Sequence, residues 1–283
     1  MINMKNISVV ALVLLLIGIV GSLLTYKPVM KERLISEEKV VNQKFNKIEI
    51  KSDAVGVELL PTTDSKAKVK LSGNAGNAEN HLATKVKNDA LTIEVDYKQT
   101  SFINFLPTSL SLKVYVPENI YESLKIENKD GGIKVGRLQA NEIDIRTING
   151  GIELSHTNGT NVVTETMDGS IKLNKVGASF IRTNTVNGSI VLEGVLGQLS
   201  GKNKDGSIKL VTNDLDRSID FETVNGNIHI QSGTEPTNAT INASSVDGNV
   251  SIFDSTKTNE VFGKGQNIIN LSTMDGGITV EKK

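Results

Sequence analysis

Residues 147–154 read TINGGIEL, residues 166–173 TMDGSIKL and residues 185–192 TVNGSIVL. The Asx-Gly pair inside this phrase recurs as Asp130-Gly131, Asn149-Gly150, Asp168-Gly169, Asn187-Gly188, Asp205-Gly206, Asn225-Gly226, Asp247-Gly248 and Asp275-Gly276. The steps between copies are 19, 19, 19, 18, 20, 22 and 28 residues. Apolar and polar residues alternate on both sides of each pair, as in IDIRTINGGIEL (143–154) and IDFETVNGNIHI (219–230). A period of two belongs to a strand rather than a helix. Asn-Gly and Asp-Gly tolerate positive φ, so each pair marks a structural turn.

Two architectures satisfy this pattern. A meander or sandwich of antiparallel hairpins closed by type I′ turns needs a second tight turn of equal strength between units. The return segments GRLQANE, SHTNGTN, NKVGASF and EGVLGQL are looser than that. A unit of 18–22 residues suits one coil of two short strands and two corners, so the reading is all-β: a parallel β-solenoid. Equivalent residues of stacked coils lie about 4.8 Å apart. Ile143/Ile145, Ile152/Leu154, Ile171/Leu173, Ile190/Leu192, Ile208/Leu210 and Ile228/Ile230 are then expected to form aliphatic ladders. A few buried aliphatics, at about 1.5–3 kcal/mol each, do not offset the ordering entropy of one coil. Stability must come from neighbours.

From Asp130 to Asn225 the Asx column alternates aspartate with asparagine. In a stack this doubles the spacing of like charges, to about 9.6 Å. Thr147, Thr166, Thr185, Thr223, Ser245 and Thr273 are placed to brace the corners through their hydroxyls. A calcium ladder would use the same aspartates, but the nonapeptide signature of such ladders is absent, and no metal is expected.

The amino-terminal run ISVVALVLLLIGIVGSLL (7–24) carries no charge and, extended to residue 26, has the length of a transmembrane anchor. Bulky residues follow it where a signal peptidase wants small ones, which favours an uncleaved anchor over a removed signal. Lys27, Lys31, Arg33 and Lys39 after the run, against Lys5 before it, leave sidedness open, because long domains translocate regardless of such charges. The expected division is a flank at 1–6, the anchor at 7–26, a charged stalk at 27–44, degenerate coils or a cap at 45–123, and regular coils at 124–283. Phe102, Phe105 and Leu106 stand out as candidate contacts to a partner. The terminal Lys282 and Lys283 are expected to discourage strand addition at the stack's end.

Composition excludes several chemistries. The 283-residue chain has no cysteine and no tryptophan, four tyrosines, seven phenylalanines and a net charge of −1. Disulfides, thiolate metal sites and cysteine nucleophiles are absent, and there is no basic, aromatic-rich surface for nucleic acid. His81, His156 and His229 stand alone as surface or turn residues. No phosphate-binding or nucleophile-elbow motif occurs. Glu142, Asp144, Glu153 and Glu165 are the carboxylates a glycan-processing β-helix enzyme would pair. Without an aromatic platform the expectation is no catalysis and no cofactor.

The segment VYVPENIYESLKIEN (114–128) followed by serial [D/N]-G-x-[I/V]-x-[L/I/V] resembles a β-strand-repeat "putative adhesin" family of unknown function. With one amino-terminal apolar segment the chain is most similar to LiaG-type proteins of Bacillus-like bacteria, encoded beside cell-envelope stress systems. The resemblance covers about residues 45–283 and brings no catalytic or binding residues with it. It implies an external face for the β-domain; with the anchor at 7–26, the expectation is a single-pass membrane protein that contacts an envelope protein or a cell-wall component. The alternatives are a self-associating cytoplasmic scaffold and, behind it, the glycan-processing enzyme.

Overall fold

The alternation of Ile, Leu and Val with polar residues generates strands that bury one side each, and each unit folds into a coil of two such strands. The computed structural model describes residues 4–29, 34–75, 78–99 and 109–283. Phe102, Phe105 and Leu106 lie outside the described residues. Long strands such as Gln139–Asn149 and Gly177–Asn187 pair in parallel in one sheet; short strands such as Ile152–Ser155 and Ile171–Asn174 pair in parallel in another. Each sheet has twelve strands. The expected solenoid is the fold.

The ladders divide between the two sheets. Ile152/Leu154, Ile171/Leu173, Ile190/Leu192, Ile208/Leu210 and Ile228/Ile230 are consecutive in the short-strand sheet. Ile143/Ile145 belong to the long-strand sheet, opposite Val162/Thr164, and so are not a rung of the same ladder. All these aliphatics are buried. In the long-strand sheet Phe221 follows Gly201 in register, and a Cβ on Gly201 would stand 3.0 Å from the Phe221 ring. This bulky inner residue occupies room left by a glycine in the adjacent coil.

The Asx-Gly corner differs from a type I′ turn. None of the eight Asx residues has positive φ, and the backbone ladder runs through the corner: Gly150 N–H donates to Asp168 O at 2.9 Å and Gly169 N–H to Asn187 O at 2.8 Å. What demands glycine is the neighbouring coil. A Cβ on Gly150 would lie 2.2 Å from Gly131 O, on Gly169 2.1 Å from Gly150 O, and on Gly226 2.2 Å from Gly206 O. Gly131, Gly188, Gly206 and Gly276 add positive φ of 134°, 151°, 143° and 156°, and at the return corner Arg137, His156, Lys175 and Gly194 have φ of 55°, 53°, 52° and 60°. Three side chains carry that conformation because each coil repeats its neighbour's corner and ties it, as in His156 N–H to Asn174 O at 2.9 Å.

At both ends the stacking order departs from the chain order. Lys47–Ser52 sits between Ala90–Gln99 and Ile120–Asp130, and Asn267–Asp275 sits between Ile219–Asn225 and Ala239–Asp247. The first and last coils are therefore each held from two sides, where a coil at the stack's end would fray. Lys282 consequently pairs in register with Ser232 inside the stack and does not finish it. Among the described residues, three of the four sheet edges are antiparallel strands, Leu34–Val41 on Ala67–Asn74, Ala78–Lys87 on Ala90–Gln99, and Asn259–Phe262 on Ala239–Asp247, and the fourth is the short parallel strand Val250–Ile252. The position 123/124 falls inside the strand Ile120–Asp130.

The segment expected as a stalk contributes the edge strand Leu34–Val41. Its inner-side Lys39 donates to the Leu82 carbonyl of the opposite sheet's edge strand, a charge placed across the solenoid's end. The amino-terminal run forms the helix Met4–Val29. Among the described residues no helix is long and apolar enough to cross a membrane.

Gly169→Ala is expected to cost about 1–3 kcal/mol in denaturant-unfolding free energy, the range of an overpacked core position. Gly132→Ala, whose nearest contact is an ordinary 3.5 Å, is expected to stay within about 0.5 kcal/mol of the parent. Equal effects would remove the coil-contact account of the glycine column.

Candidate functional site

The repeated corner is where the conspicuous residues converge. Each Asx side chain lies one coil from the next in register, so the column reads Asp130, Asn149, Asp168, Asn187, Asp205, Asn225, Asp275, Asp247. Asparagine amides donate down this column to aspartates: Asn149 Nδ2 to Asp130 Oδ1, Asn187 to Asp168 and Asn225 to Asp205, each at 2.5 Å. The alternation thus separates like charges and supplies each of these aspartates with an amide donor. The end exchange places Asp275 directly beside Asp247, the one step where the described column sets aspartate on aspartate.

Behind it lies a buried hydroxyl column. Thr166 donates to Gly150 O, Thr185 to Gly169 O, Thr223 to Gly206 O and Thr273 to Gly226 O, each at 2.9 Å. Thr147 reaches Gly131 O at 3.3 Å and Ser245 reaches Gly276 O at 2.8 Å. Asn203, where the phrase lacks threonine, does the same to Gly188 O at 2.6 Å. The expected bracing is present, but it ties each corner to the preceding coil of the stack. Ser52 and Asn128 extend it toward the amino-terminal end, joined at 2.9 Å.

In front of the corner lies a column that sequence reading passes over. Lys129, Ile148, Met167, Val186, Lys204, Val224, Met274 and Val246 follow one another in the stack. Ile148, Met167, Met274 and Val246 are 43%, 51%, 52% and 73% exposed. The repeat template treats this position as free, yet six of its eight members are apolar; that bias is the signal that was available.

The carboxylates singled out for glycan chemistry do not converge. Glu142, Asp144 and Glu165 line the long-strand sheet, whereas Glu153 lies on the short-strand sheet with Lys134 at 3.5 Å. Arg146 takes Asp144 at 2.8 Å and Glu165 at 2.6 Å, and Asn161 donates to Glu142 at 2.9 Å. His81 and His156 are exposed and far apart in the fold, and His229 meets Glu281 at 2.9 Å. Among the described residues no group of three or more His, Cys, Asp or Glu could hold a metal ion.

A surface depression of about 490 Å³ opens at the amino-terminal return corner, between Pro61, Pro117, Ile120 and the left-handed Arg137. Tyr121 forms part of its wall, donates to Pro117 O at 2.6 Å and stacks on Phe45 at 5.9 Å. Burial pushes this phenol up to about 12, so it stays protonated and structural. Toward the other end, Asp216 binds a neighbouring return loop, accepting from Thr237 Oγ1 at 2.6 Å and from the backbone N–H groups of Thr237 and Asn238 at 2.9 and 2.8 Å. These bonds, the hydroxyl's first, hold its carboxyl below the usual range.

The chain belongs to the Toastrack DUF4097 family, which it matches over residues 45–281. No curated protein matches it. Among solved structures it is similar to a "putative adhesin" from Bacteroides fragilis, with a TM-score of 0.55 and 16% identity over 89% of this chain and 98% of the other. It is also similar to a "putative adhesin" from Parabacteroides distasonis, at 0.46 and 16% over 88% and 98%, and to a "putative lipid binding protein" from the same organism, at 0.46 and 11% over 86% and 96%. At such identity the first likeness is one of fold.

Asn187→Asp would set three aspartates in consecutive coils. It is expected to lower unfolding free energy by about 0.5–1 kcal/mol at low salt and by less at high salt; a salt-independent loss would contradict the electrostatic reading. Asp216 has a depressed folded pKa, so its contribution is full above the unfolded carboxylate value of about 3.9 and disappears as pH falls through the folded value. Asp216→Asn is expected to be less stable than the parent at pH 7 and to lose less between neutral and acid pH. Parallel acid profiles for the two chains would refute this.

Proposed function

We propose that this Toastrack protein is a non-catalytic, membrane-anchored surface protein that displays its solenoid outside the cell as a contact module. The observation that carries the reading is the amino-terminal helix. Its described side chains, Val9 to Ser22, are all exposed, and its aliphatics from Val9 to Val20 stand 48–64% open. A helix apolar around its whole circumference is unfavourable in water and suits lipid. The described side chains are fewer than the roughly 20 residues of a span, so the proposal rests on the uncharged sequence continuing from Ile7 to Leu24.

Fully extended, the chain from Val29 to Leu34 reaches at most about 17 Å. Leu34–Val41 is an end strand of its sheet, so the amino-terminal end of the solenoid is the end held near the bilayer. External display is supported by the family resemblance and by the adhesin description of the Bacteroides fragilis protein. The absence of catalysis is supported by carboxylates engaged with neighbours and divided between two faces. A role beside envelope-stress systems, with an envelope protein or cell-wall component as partner, follows from the resemblance. Three of the four sheet edges among the described residues are antiparallel strands, which oppose the filament-forming scaffold because they offer no parallel coil for a second copy to continue; the fourth, Val250–Ile252, is a three-residue parallel edge.

The cysteine-free chain permits a direct test of sidedness. Thr256→Cys, exposed near the carboxy-terminal end, is expected to react with a membrane-impermeant maleimide in intact protoplasts as fully as in lysed ones. Labelling confined to lysed cells would overturn external display. Release of the full chain from membranes by alkaline carbonate would overturn the anchor.

A further inference from the structure

The Asx column holds three asparagines, each followed by glycine: Asn149-Gly150, Asn187-Gly188 and Asn225-Gly226. Asparagine is among the thermolabile residues. Before glycine it is most so, because no Cβ hinders attack of the following backbone nitrogen on the side-chain carbonyl carbon. That attack forms a five-membered succinimide and releases ammonia. Water then opens the ring to aspartate or to isoaspartate, in which the backbone runs through the former side chain. The net change is asparagine plus water to an acid plus ammonia, with no oxidant or other reagent.

In this solenoid the three asparagines are exposed, so water reaches them, but both partners in the ring closure are engaged. The attacking nitrogens donate to the next coil: Gly150 N–H to Asp168 O at 2.9 Å, Gly188 N–H to Asp205 O at 3.0 Å, and Gly226 N–H to Asp275 O at 2.9 Å. The side-chain amides donate the other way, to Asp130, Asp168 and Asp205 at 2.5 Å. Ring closure must break both bonds and swing the glycine nitrogen out of a ladder held on both sides.

We propose that these three corners are latent deamidation sites, shielded while the coils are stacked and modified when a coil opens. The modification then prevents clean reclosure. Conversion at Asn187 sets aspartates at three consecutive coils, and its amide no longer donates to Asp168. An isoaspartate also lengthens the backbone by one carbon at a corner paired in register on both sides. The column thereby turns transient opening, by heat or by pulling on a surface-displayed chain, into a lasting change.

The test is peptide mapping by mass spectrometry of the full chain in detergent, held at mildly alkaline pH and sampled over days. Conversion at Asn149, Asn187 and Asn225 is expected to be at least about tenfold slower in native buffer than in urea, an opening equilibrium of at least about 1.4 kcal/mol. Asp168→Ala removes the acceptor of Asn187 alone, so conversion at Asn187 should rise several-fold while Asn225, two coils away, keeps its rate. Equal native and denatured rates would overturn the proposal, as would a uniform rise at all three sites in Asp168→Ala, which would mark global loosening. The separate variant Asn187→Asp isolates the consequence: unchanged coil stability in it would overturn the claim that modification prevents reclosure.

Discussion

The approach of one glycine carbonyl to the next coil's glycine Cα sets the terms for the rest of this fold. At the Asx-Gly corner the backbones of successive coils come so close that a single added carbon would fall 2.0–2.2 Å from an oxygen in several copies. That contact requires glycine. It also turns each glycine carbonyl toward the adjacent coil's buried hydroxyl, and so selects threonine, with serine or asparagine able to make the same bond. Finally, it brings the preceding Asx side chains within hydrogen-bonding distance of one another, where two carboxylates would repel and an aspartate–asparagine pair attracts. Three residue choices that look like a motif within one coil are three answers to the neighbouring coil.

A fold governed by neighbours has a difficulty at its ends, where one neighbour is missing. The chain deals with it twice in the same way, by slipping its terminal coil one place inward and leaving a mid-chain coil outermost. The outermost coil is then continuous with the chain on both sides, and it is covered by an antiparallel strand that the same excursion supplies. The arrangement costs loop closure but removes the frayed terminus and leaves a parallel edge only at the three-residue strand Val250–Ile252.

Legibility in the sequence follows from the same logic. The period, the strands, the buried aliphatics and the bracing threonines were readable because each coil states them afresh. The return corner was not, because Arg137, His156 and Lys175 hold left-handed backbone without the glycine or asparagine that would announce it. The end exchange was hidden for a different reason. The phrases INASSVDGNVSI and INLSTMDGGITV fit either place in the stack, so no local pattern says which coil is outermost. The edge strand Leu34–Val41 was concealed by Glu37 and Lys39, charges on the side where aliphatics were expected, which blunt the edge and erase its period. As for function, the carboxylates were legible as residues but not as partners, since Arg146 joins Asp144 to Glu165 only through the stack.

The exterior that remains is unusually self-satisfied, and this limits where recognition can occur. Along the long-strand sheet, side chains bond to their own equivalents one coil away: Asn161 to Glu142, Asn184 to Glu165, Lys202 to Glu222 and Asn242 to Asn270. A ligand that competes for such a group must first break a ladder bond, so polar recognition on the flat face gains little. The column from Ile148 to Val246 has no such internal bond to lose and keeps its apolar side chains in water. The return corners likewise carry exposed side chains on backbone fixed from both sides. The side chains without ladder bonds therefore gather beside the corners, in the column from Ile148 to Val246 and at the exposed Arg137, His156 and Lys175, where the backbone is fixed by the adjacent coils.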